Sequence, residues 1–271
     1  MKQNIYKNTF AQSSQSYVLA LLLGCCLFLL SNKVARADIS QKDQVQCLTR
    51  LAWFQGINAN QASLPQAVKN NTSSSFSLQK LQKAAVTYGM KVIDRKIPLA
   101  NLRKMNVPAI ARLSHPDELV TIAAIGQQNA IVYKDATLQV MPVKVLSQRY
   151  DGESLIYKDN LSHKPQISID EPIIDVKVKK RFVSFPFIVP VKNMGTQNVT
   201  LKVQSTSCGC TSDDKSDVDL KPGQSGELRF KTSAFADRMV SAVIATNDPV
   251  RPVFVLAFQI KVPDFCEACG F

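Results

Sequence analysis

The stretch "QKDQVQCLTRLAWFQGI" (41–57) decides how the first half of this chain folds. Its apolar side chains recur at helical spacing, at Val45, Leu48, Leu51, Ala52 and Phe54. Spacing of this kind predicts an amphipathic helix packed on a core. The same stretch carries Cys47, and Gln41 stands six residues before that cysteine. We expect Cys47 to lie where this helix begins, because free N–H groups and the helix dipole favour a thiolate there. We therefore ask whether the helix presents a reactive thiol or simply buries one.

A second helical pattern and a series of strands follow. "SLQKLQKAAVTYG" (77–89) has Ser77 available as an N-cap and Gly89 as a C-terminal stop. Strand-like runs come next: "MKVIDR" (90–95), "PAIARL" (108–113), "LVTIAAI" (119–125), "AIVY" (130–133) and "TLQVMPV" (137–143). Helices followed by strands indicate an α+β domain.

The second half has a different texture. Residues 158–171 are polar and proline-containing, as expected of a linker. From residue 172 to 262, short strand patterns alternate with turn signals such as "NMGTQN", "KPGQSG" and "TNDPVRP". About seven short strands at this spacing predict an antiparallel, all-β sandwich.

The opening of the chain predicts a targeting segment. Lys2 and Lys7 precede the apolar run "YVLALLLGCCLFLLS" (17–31), and "ARA" (35–37) supplies a small-x-small cleavage pattern. The run is short for a spanning helix, which needs roughly 20 apolar residues. We expect export to the periplasm or cell envelope, with cleavage after "ARA". A retained membrane anchor through residues 17–31 and lipoprotein-type cleavage at "LLGC" (22–25) are the alternatives.

The net charge of +12 at pH 7 raises the question of whether the protein binds nucleic acid. Basic residues are dispersed apart from "KVKKR" (177–181), and no zinc-finger, helix-turn-helix or aromatic RNA-binding pattern accompanies them. The sequence also has no Walker A pattern. We therefore expect a solvated basic surface, with attraction to anionic envelope surfaces as the alternative, and neither nucleic acid, ATP nor a cofactor.

Five cysteines follow the leader: Cys47, Cys208, Cys210, Cys266 and Cys269. Exported proteins meet oxidising conditions, so the later four are candidates for disulfides. A strand points side chains two apart in the same direction, which disfavours a Cys208–Cys210 bond. Bridges between the two pairs, free thiols and a zinc site of four sulfurs remain as alternatives. No histidine follows Cys269, which excludes covalent haem attachment.

The first half resembles the double-glycine leader peptidases, the cysteine peptidases that process bacteriocins, over about residues 41–157. The resemblance is carried by Gln41, Cys47, "SLQKLQKAAVTYGM" (77–90), "VPAIARL" (107–113), "ELVTIAAI" (118–125), "AIVYKD" (130–135) and "YDGESLIY" (150–157). It implies a papain-like fold in which Cys47 is the nucleophile and Gln41 helps form the oxyanion hole. It also implies a peptide or protein as substrate or ligand. It further implies that Asp135 orients a histidine base, whose slot falls on Glu118.

This sequence departs from the peptidase pattern at several of those positions. Leu48 replaces the usual glycine after the nucleophile, and Ala136 the usual proline after the aspartate. A carboxylate at position 118 cannot cycle as an imidazole does near neutral pH. His115, in the expected turn "SHPDE" (114–118), is the only nearby imidazole. The same residues also have non-catalytic interpretations. Cys47 can be a buried sulfur of the core, and His115 and Asp135 can be ordinary turn residues.

The second half resembles a bacterial immunoglobulin-like domain family of unknown function, related to hydin-type β-sandwiches. The resemblance is carried by "PVKNMGTQNVTLKVQSTSCGCT" (190–211), "LKPGQSGELRFKT" (220–232) and "ATNDPVRPVFVLAFQIKV" (245–262). It implies an immunoglobulin-like sandwich over about residues 172–262 that acts as an adhesive or assembly module.

The sequence therefore predicts an exported protein with two domains. The leader covers 1–37, the papain-like domain 38–157, the linker 158–171, the sandwich 172–262 and a cysteine-containing tail 263–271. One hypothesis is a peptidase with Cys47, Gln41, His115 and Asp135 in its catalytic site. The other is a catalytically degenerate peptide-binding or scaffold protein of the cell envelope that uses the sandwich for assembly. We expect no bound metal, and Cys208, Cys210, Cys266 and Cys269 are weak candidates for one.

Overall fold

The computed structural model describes residues 39–57, 64–71, 76–158, 166–213 and 217–263. The predicted leader lies outside these residues, as does nearly all of the predicted tail. Within the described ranges, no helix is both long enough and apolar enough to cross a membrane.

Three helices open the described chain: α1 (Gln41–Phe54), α2 (Leu64–Asn71) and α3 (Leu78–Thr87). Side-chain caps set where two of them begin. The Asp43 N–H donates to Ser40 Oγ at 3.1 Å, and the Lys80 N–H donates to Ser77 Oγ at 3.2 Å. The predicted N-cap at Ser77 is thereby confirmed, whereas α1 begins earlier than its apolar stripe because Ser40 caps it.

A six-stranded antiparallel sheet follows. Its strands are β1 (Val92–Lys96), β2 (Ala109–Leu113), β3 (Glu118–Ile125), β4 (Asn129–Lys134), β5 (Thr137–Pro142) and β6 (Tyr150–Tyr157). Their order in the sheet is β1-β6-β2-β3-β4-β5. Two short helices, α4 (Leu99–Met105) and α5 (Val143–Arg149), interrupt the strand series.

Each face of this sheet buries its own core. Ile110 and Leu119 pack with α1 and α3, whereas Ala111, Val120 and Ile122 pack with side chains of α4 and α5. Successive strand residues point to opposite faces, so the two sets alternate along β2 and β3. This alternation decides which side chains reach Cys47.

The second half is a sandwich of two sheets. The strands are β7 (Ile167–Ser168), β8 (Ile173–Lys177), β9 (Phe185–Asn193), β10 (Val199–Thr206), β11 (Thr211–Asp213), β12 (Asp217–Leu220), β13 (Ser225–Thr232), β14 (Arg238–Thr246) and β15 (Val253–Lys261). One sheet has the order β12-β10-β14-β15-β8 and the other β11-β13-β9-β7. β8 pairs with β15 in parallel, so the prediction of an antiparallel sandwich is wrong for this pair. Between the sheets, the Phe258 ring lies 4.8 Å from that of Phe230 and 5.0 Å from that of Phe187.

Two observations modify the predicted division into domains. β7 lies in the predicted linker, yet it pairs with the end of β9 and so belongs to the sandwich. In addition, one buried cluster combines Phe54 of α1 and Ile131 of β4 with Val255 and Ala257 of β15. The two halves therefore share apolar core.

Candidate functional site around Cys47

Cys47 lies in the interior of α1, as its seventh residue. The expectation that it stands at the start of a helix is therefore wrong. Only the first four N–H groups of a helix are free, and the helix dipole acts mainly within the first turn. The Cys47 N–H is thus used by the helix and is not available to an oxyanion.

The Cys47 thiol is buried, with 5% of the residue exposed. Burial is the main cause that raises the pKa of this thiol from 9.0 to about 12. A hydrogen bond with Thr121 lowers it, and the charges of Asp43 and Asp135 raise it further. The thiolate is the nucleophilic form of cysteine, and a raised pKa leaves little thiolate near neutral pH. The Cys47 thiol is therefore a poor nucleophile there.

A small cleft adjoins the thiol. Its lining residues are Asp43, Gln46, Cys47, Arg50, Leu119, Thr121, Tyr133, Asp135 and Ala136. The cavity volume is about 10 Å³, which is room for roughly one water molecule. A peptide substrate cannot enter this space without a rearrangement.

Three strand residues line the cleft: Leu119 and Thr121 of β3 and Tyr133 of β4. The Thr121 hydroxyl donates to the Cys47 carbonyl at 3.3 Å. Glu118 is on the opposite face of β3, where it pairs with Lys134 and, at 2.7 Å, with Arg149 Nη2. Glu118, on which the resemblance places the histidine slot, is therefore not among the described residues that line the cleft, whereas Leu119 is.

The structure brings together two of the four predicted site residues, Cys47 and Asp135. His115 is exposed in the turn between β2 and β3, with φ +53°, and Gln41 is exposed at the start of α1. Neither is among the described residues that line the cleft. Asp135 has φ +48° in the turn after β4, so it also has the structural role expected of a turn residue.

Arg50 is a residue of this site that the sequence analysis missed. Its guanidinium lies 4.2 Å from the ring centre of Tyr133 and 5.3 Å from that of Trp53, and it donates to the Ala136 carbonyl at 3.3 Å. These contacts attach the turn that carries Asp135 to α1. The available signal was the spacing of Arg50, three residues after Cys47 on one helix face.

The "KNMG" and "TNDP" motifs of the sandwich form turns that are stabilised by side-chain hydrogen bonds. The buried Asn193 amide donates to the carbonyls of Gln197 and Leu220 at 2.7 and 3.0 Å, and its Oδ1 accepts from the Gly195 N–H at 2.9 Å. In the "TNDP" turn, Asp248 Oδ1 accepts from the Val250 N–H at 2.9 Å. Both motifs satisfy buried backbone groups where strands reverse.

Cys208 and Cys210 form a disulfide with each other, and their Cα atoms are 5.2 Å apart. The expectation that this pair is too close is wrong because the residues lie in a turn between β10 and β11, so the alternation of a strand does not apply. Cys266 and Cys269 lie outside the described residues. Within the part of the chain that the structure describes, no cluster of three or more potential metal ligands occurs.

Comparisons with known proteins found a family model and solved structures similar to this chain. The model is described as "Protein of unknown function (DUF1573)" and matches residues 167–258, which include most of the sandwich. The structural neighbours of the chain include peptidase C39-like domains and PapD-like sandwiches. No curated protein matches the chain.

Three solved structures illustrate these likenesses, which concern the fold alone. The peptidase C39-like domain of a toxin secretion ATP-binding protein from Vibrio parahaemolyticus is 17% identical, with 42% of this chain and 93% of that chain covered and a TM-score of 0.36. A double glycine motif protease from an AMS/PCAT transporter is 16% identical (45% and 86% covered, TM-score 0.39). SSP-19 from Caenorhabditis elegans, an MSP-domain protein like family member, is 12% identical (33% and 94% covered, TM-score 0.28).

Proposed function

We propose that this is an exported scaffold protein of the cell envelope, whose papain-like domain has lost peptidase activity and whose immunoglobulin-like sandwich serves assembly with a protein partner. One observation carries the proposal: no imidazole is among the described residues that line the cleft at the buried Cys47 thiol, and β3 contributes Leu119 and Thr121 there. A thiol peptidase needs a base at that place to accept the thiol proton.

Two other parts of the chemistry are also missing at Cys47. With a pKa of about 12, only roughly one thiol in 10⁵ is ionised at pH 7. The oxyanion that forms during acyl transfer needs preorganised donors. Here the Cys47 N–H is used within α1, and Gln41 is not among the described residues of the cleft.

An assay of peptide hydrolysis tests the loss of catalysis. We expect the wild-type protein to cleave casein and a mixed-sequence peptide library no faster than a Cys47→Ala variant does. Leu119→His should not restore turnover, because the thiol stays buried and the N–H stays engaged. Hydrolysis by the wild type that Cys47→Ala abolishes would contradict the proposal.

Peptidase activity remains the second candidate because Cys47 and Asp135 line one cleft, as the resemblance implies. In that case the cleft must open on substrate binding and admit a base from elsewhere. His115→Ala then discriminates: it should abolish hydrolysis if His115 moves in, and change nothing if the scaffold proposal holds.

Export is tested separately by the mature N-terminus. We expect the protein recovered from the cell envelope to begin at Asp38, because the small-x-small pattern ends at Ala37. Mass spectrometry of the intact protein and of its N-terminal peptide reads this directly. A chain that retains Met1 would contradict export with cleavage, and a cysteine at the N-terminus would indicate the lipoprotein route.

A further inference from the structure

The disulfide of the sandwich lies in a polar, partly exposed setting. Cys208 and Cys210 are each half-buried, and Gly209 between them has nothing within 4 Å of where a Cβ would lie. Arg238, the first residue of β14, places Nη1 3.5 Å from Cys208 Sγ and 3.3 Å from Cys210 Sγ. The two cysteines therefore pack against the sandwich core but stay partly exposed, and their sulfurs contact a cation.

Arg238 contacts both sulfurs, and a backbone donor distinguishes them. The Cys210 N–H donates to Cys208 Sγ at 3.1 Å, whereas Cys210 Sγ has only a longer contact, 3.9 Å, with Thr211 Oγ1. A neutral disulfide gains little from a guanidinium, whereas a thiolate gains a charge-assisted hydrogen bond. Exchange is faster when the leaving sulfur departs as a stabilised thiolate. The arrangement thus favours Cys208 as the leaving group and Cys210 as the sulfur that is attacked.

An apolar surface adjoins these sulfurs. The Phe235 ring lies 4.6 Å from the Arg238 guanidinium carbon, and the Phe182 ring stacks on Phe235 at 6.2 Å. Phe182 is 75% exposed and Phe235 56% exposed. Arg181 keeps the pair in place by donating to the Phe235 carbonyl. Arg238 therefore connects the disulfide to an exposed aromatic pair, which suits apolar side chains of a polypeptide.

We propose that Cys208–Cys210 is a thiol–disulfide exchange site whose substrate is a cysteine thiol on a polypeptide with apolar side chains beside it. The substrate thiolate attacks Cys210 Sγ, the S–S bond breaks, and Cys208 leaves as a thiolate held by Arg238. A second substrate thiolate then attacks the mixed disulfide and releases Cys210. The chain gains two electrons and two protons, and the two substrate thiols are oxidised to a disulfide.

Differential alkylation of the full-length protein tests the proposal. The folded, oxidised protein is treated either with reduced glutathione or with a cysteine peptide carrying phenylalanine and leucine beside the thiol. The peptide that contains Cys208 and Cys210 is followed over time by mass spectrometry, separately from those of Cys47, Cys266 and Cys269. Far-ultraviolet circular dichroism on the same samples reports whether the fold persists.

We expect reduction while the fold persists, with a rate that falls roughly three- to tenfold in Arg238→Gln because the leaving thiolate loses its cation. Arg238→Lys should retain most of the rate. Arg229→Gln, which removes an exposed arginine of the same sandwich paired with Glu227 at 3.0 Å, should change nothing. Phe182→Ser should slow the peptide but not glutathione.

Three results count against the proposal. If the disulfide is reduced only when the protein unfolds, its role is to stabilise the fold and not to exchange with thiols. Equal rates in Arg238→Gln and wild type would remove the role of Arg238. An unchanged peptide rate in Phe182→Ser would overturn the polypeptide substrate and leave small thiols in its place.

Discussion

At pH 7.5, iodoacetamide should alkylate Cys47 about a thousandfold more slowly in the folded protein than in the protein unfolded by guanidinium. The thiol pKa is raised from 9.0 to about 12, so roughly 10³ times less thiolate is present at any pH below 9. Only the thiolate reacts. Quenched time points and mass spectrometry of the Cys47 peptide give both rates.

The pH dependence of this labelling gives an independent reading. A model thiol stops gaining reactivity above about pH 9, whereas Cys47 in the folded protein should still gain about tenfold per pH unit at pH 10. Leu119→Ala opens the cleft and should accelerate labelling, and Val86→Ala, at an exposed apolar residue of α3, should not. Labelling at the rate of a free thiol at pH 7.5 would contradict the burial of Cys47 and reopen the peptidase hypothesis.

Ser77 and Glu118 show how far the sequence predicted the fold and the candidate site. Ser77 was predicted correctly as a cap, because capping is local chemistry. Glu118 was assigned to the cleft on the basis of a count along the strand. An error of one residue in a strand moves a side chain to the other face, and only the register with β2 and the contacts of Thr121 placed Leu119 there instead.

The start of α1 shows a different limit. The apolar stripe predicted the helix, but the Ser40 cap extends the helix by about one turn towards the N-terminus, so Cys47 lies in the helix interior.

The prediction against a Cys208–Cys210 disulfide was wrong for a similar reason, since these residues lie in a turn and not in the expected strand. Most strands of the sandwich were predicted because alternation and turn residues are visible in the sequence, but β7 in the predicted linker and the parallel pairing of β8 with β15 were not. The apolar core that the two halves share around Phe54 was not predicted, since contacts between distant segments leave no local pattern in the sequence.

Asp248→Ala should lower the free energy of unfolding by about 3–5 kcal/mol, because it leaves a buried cation without its partner. Asp248 and Arg251 are both buried, and Arg251 Nε lies 3.9 Å from Asp248 Oδ2. Burial lowers the pKa of Arg251, and the Asp248 charge acts in the opposite direction. Arg251 also donates to the Ile167 carbonyl, which attaches β7 to the "TNDP" turn. Urea unfolding followed by circular dichroism measures the change.

The matched control makes the same substitution at an exposed pair. Asp217 lies 4.0 Å from Lys202 Nζ, and the side chains are 55% and 63% exposed, so Asp217→Ala should cost no more than about 1 kcal/mol. The double variant Asp248→Ala/Arg251→Met should recover part of the loss, since it removes the unpaired charge itself and not only its partner. If Asp248→Ala costs no more than Asp217→Ala does, the buried pair does not stabilise the turn. If the double variant is less stable than Asp248→Ala, the cost lies in the Arg251 contact with Ile167 and not in the uncompensated charge.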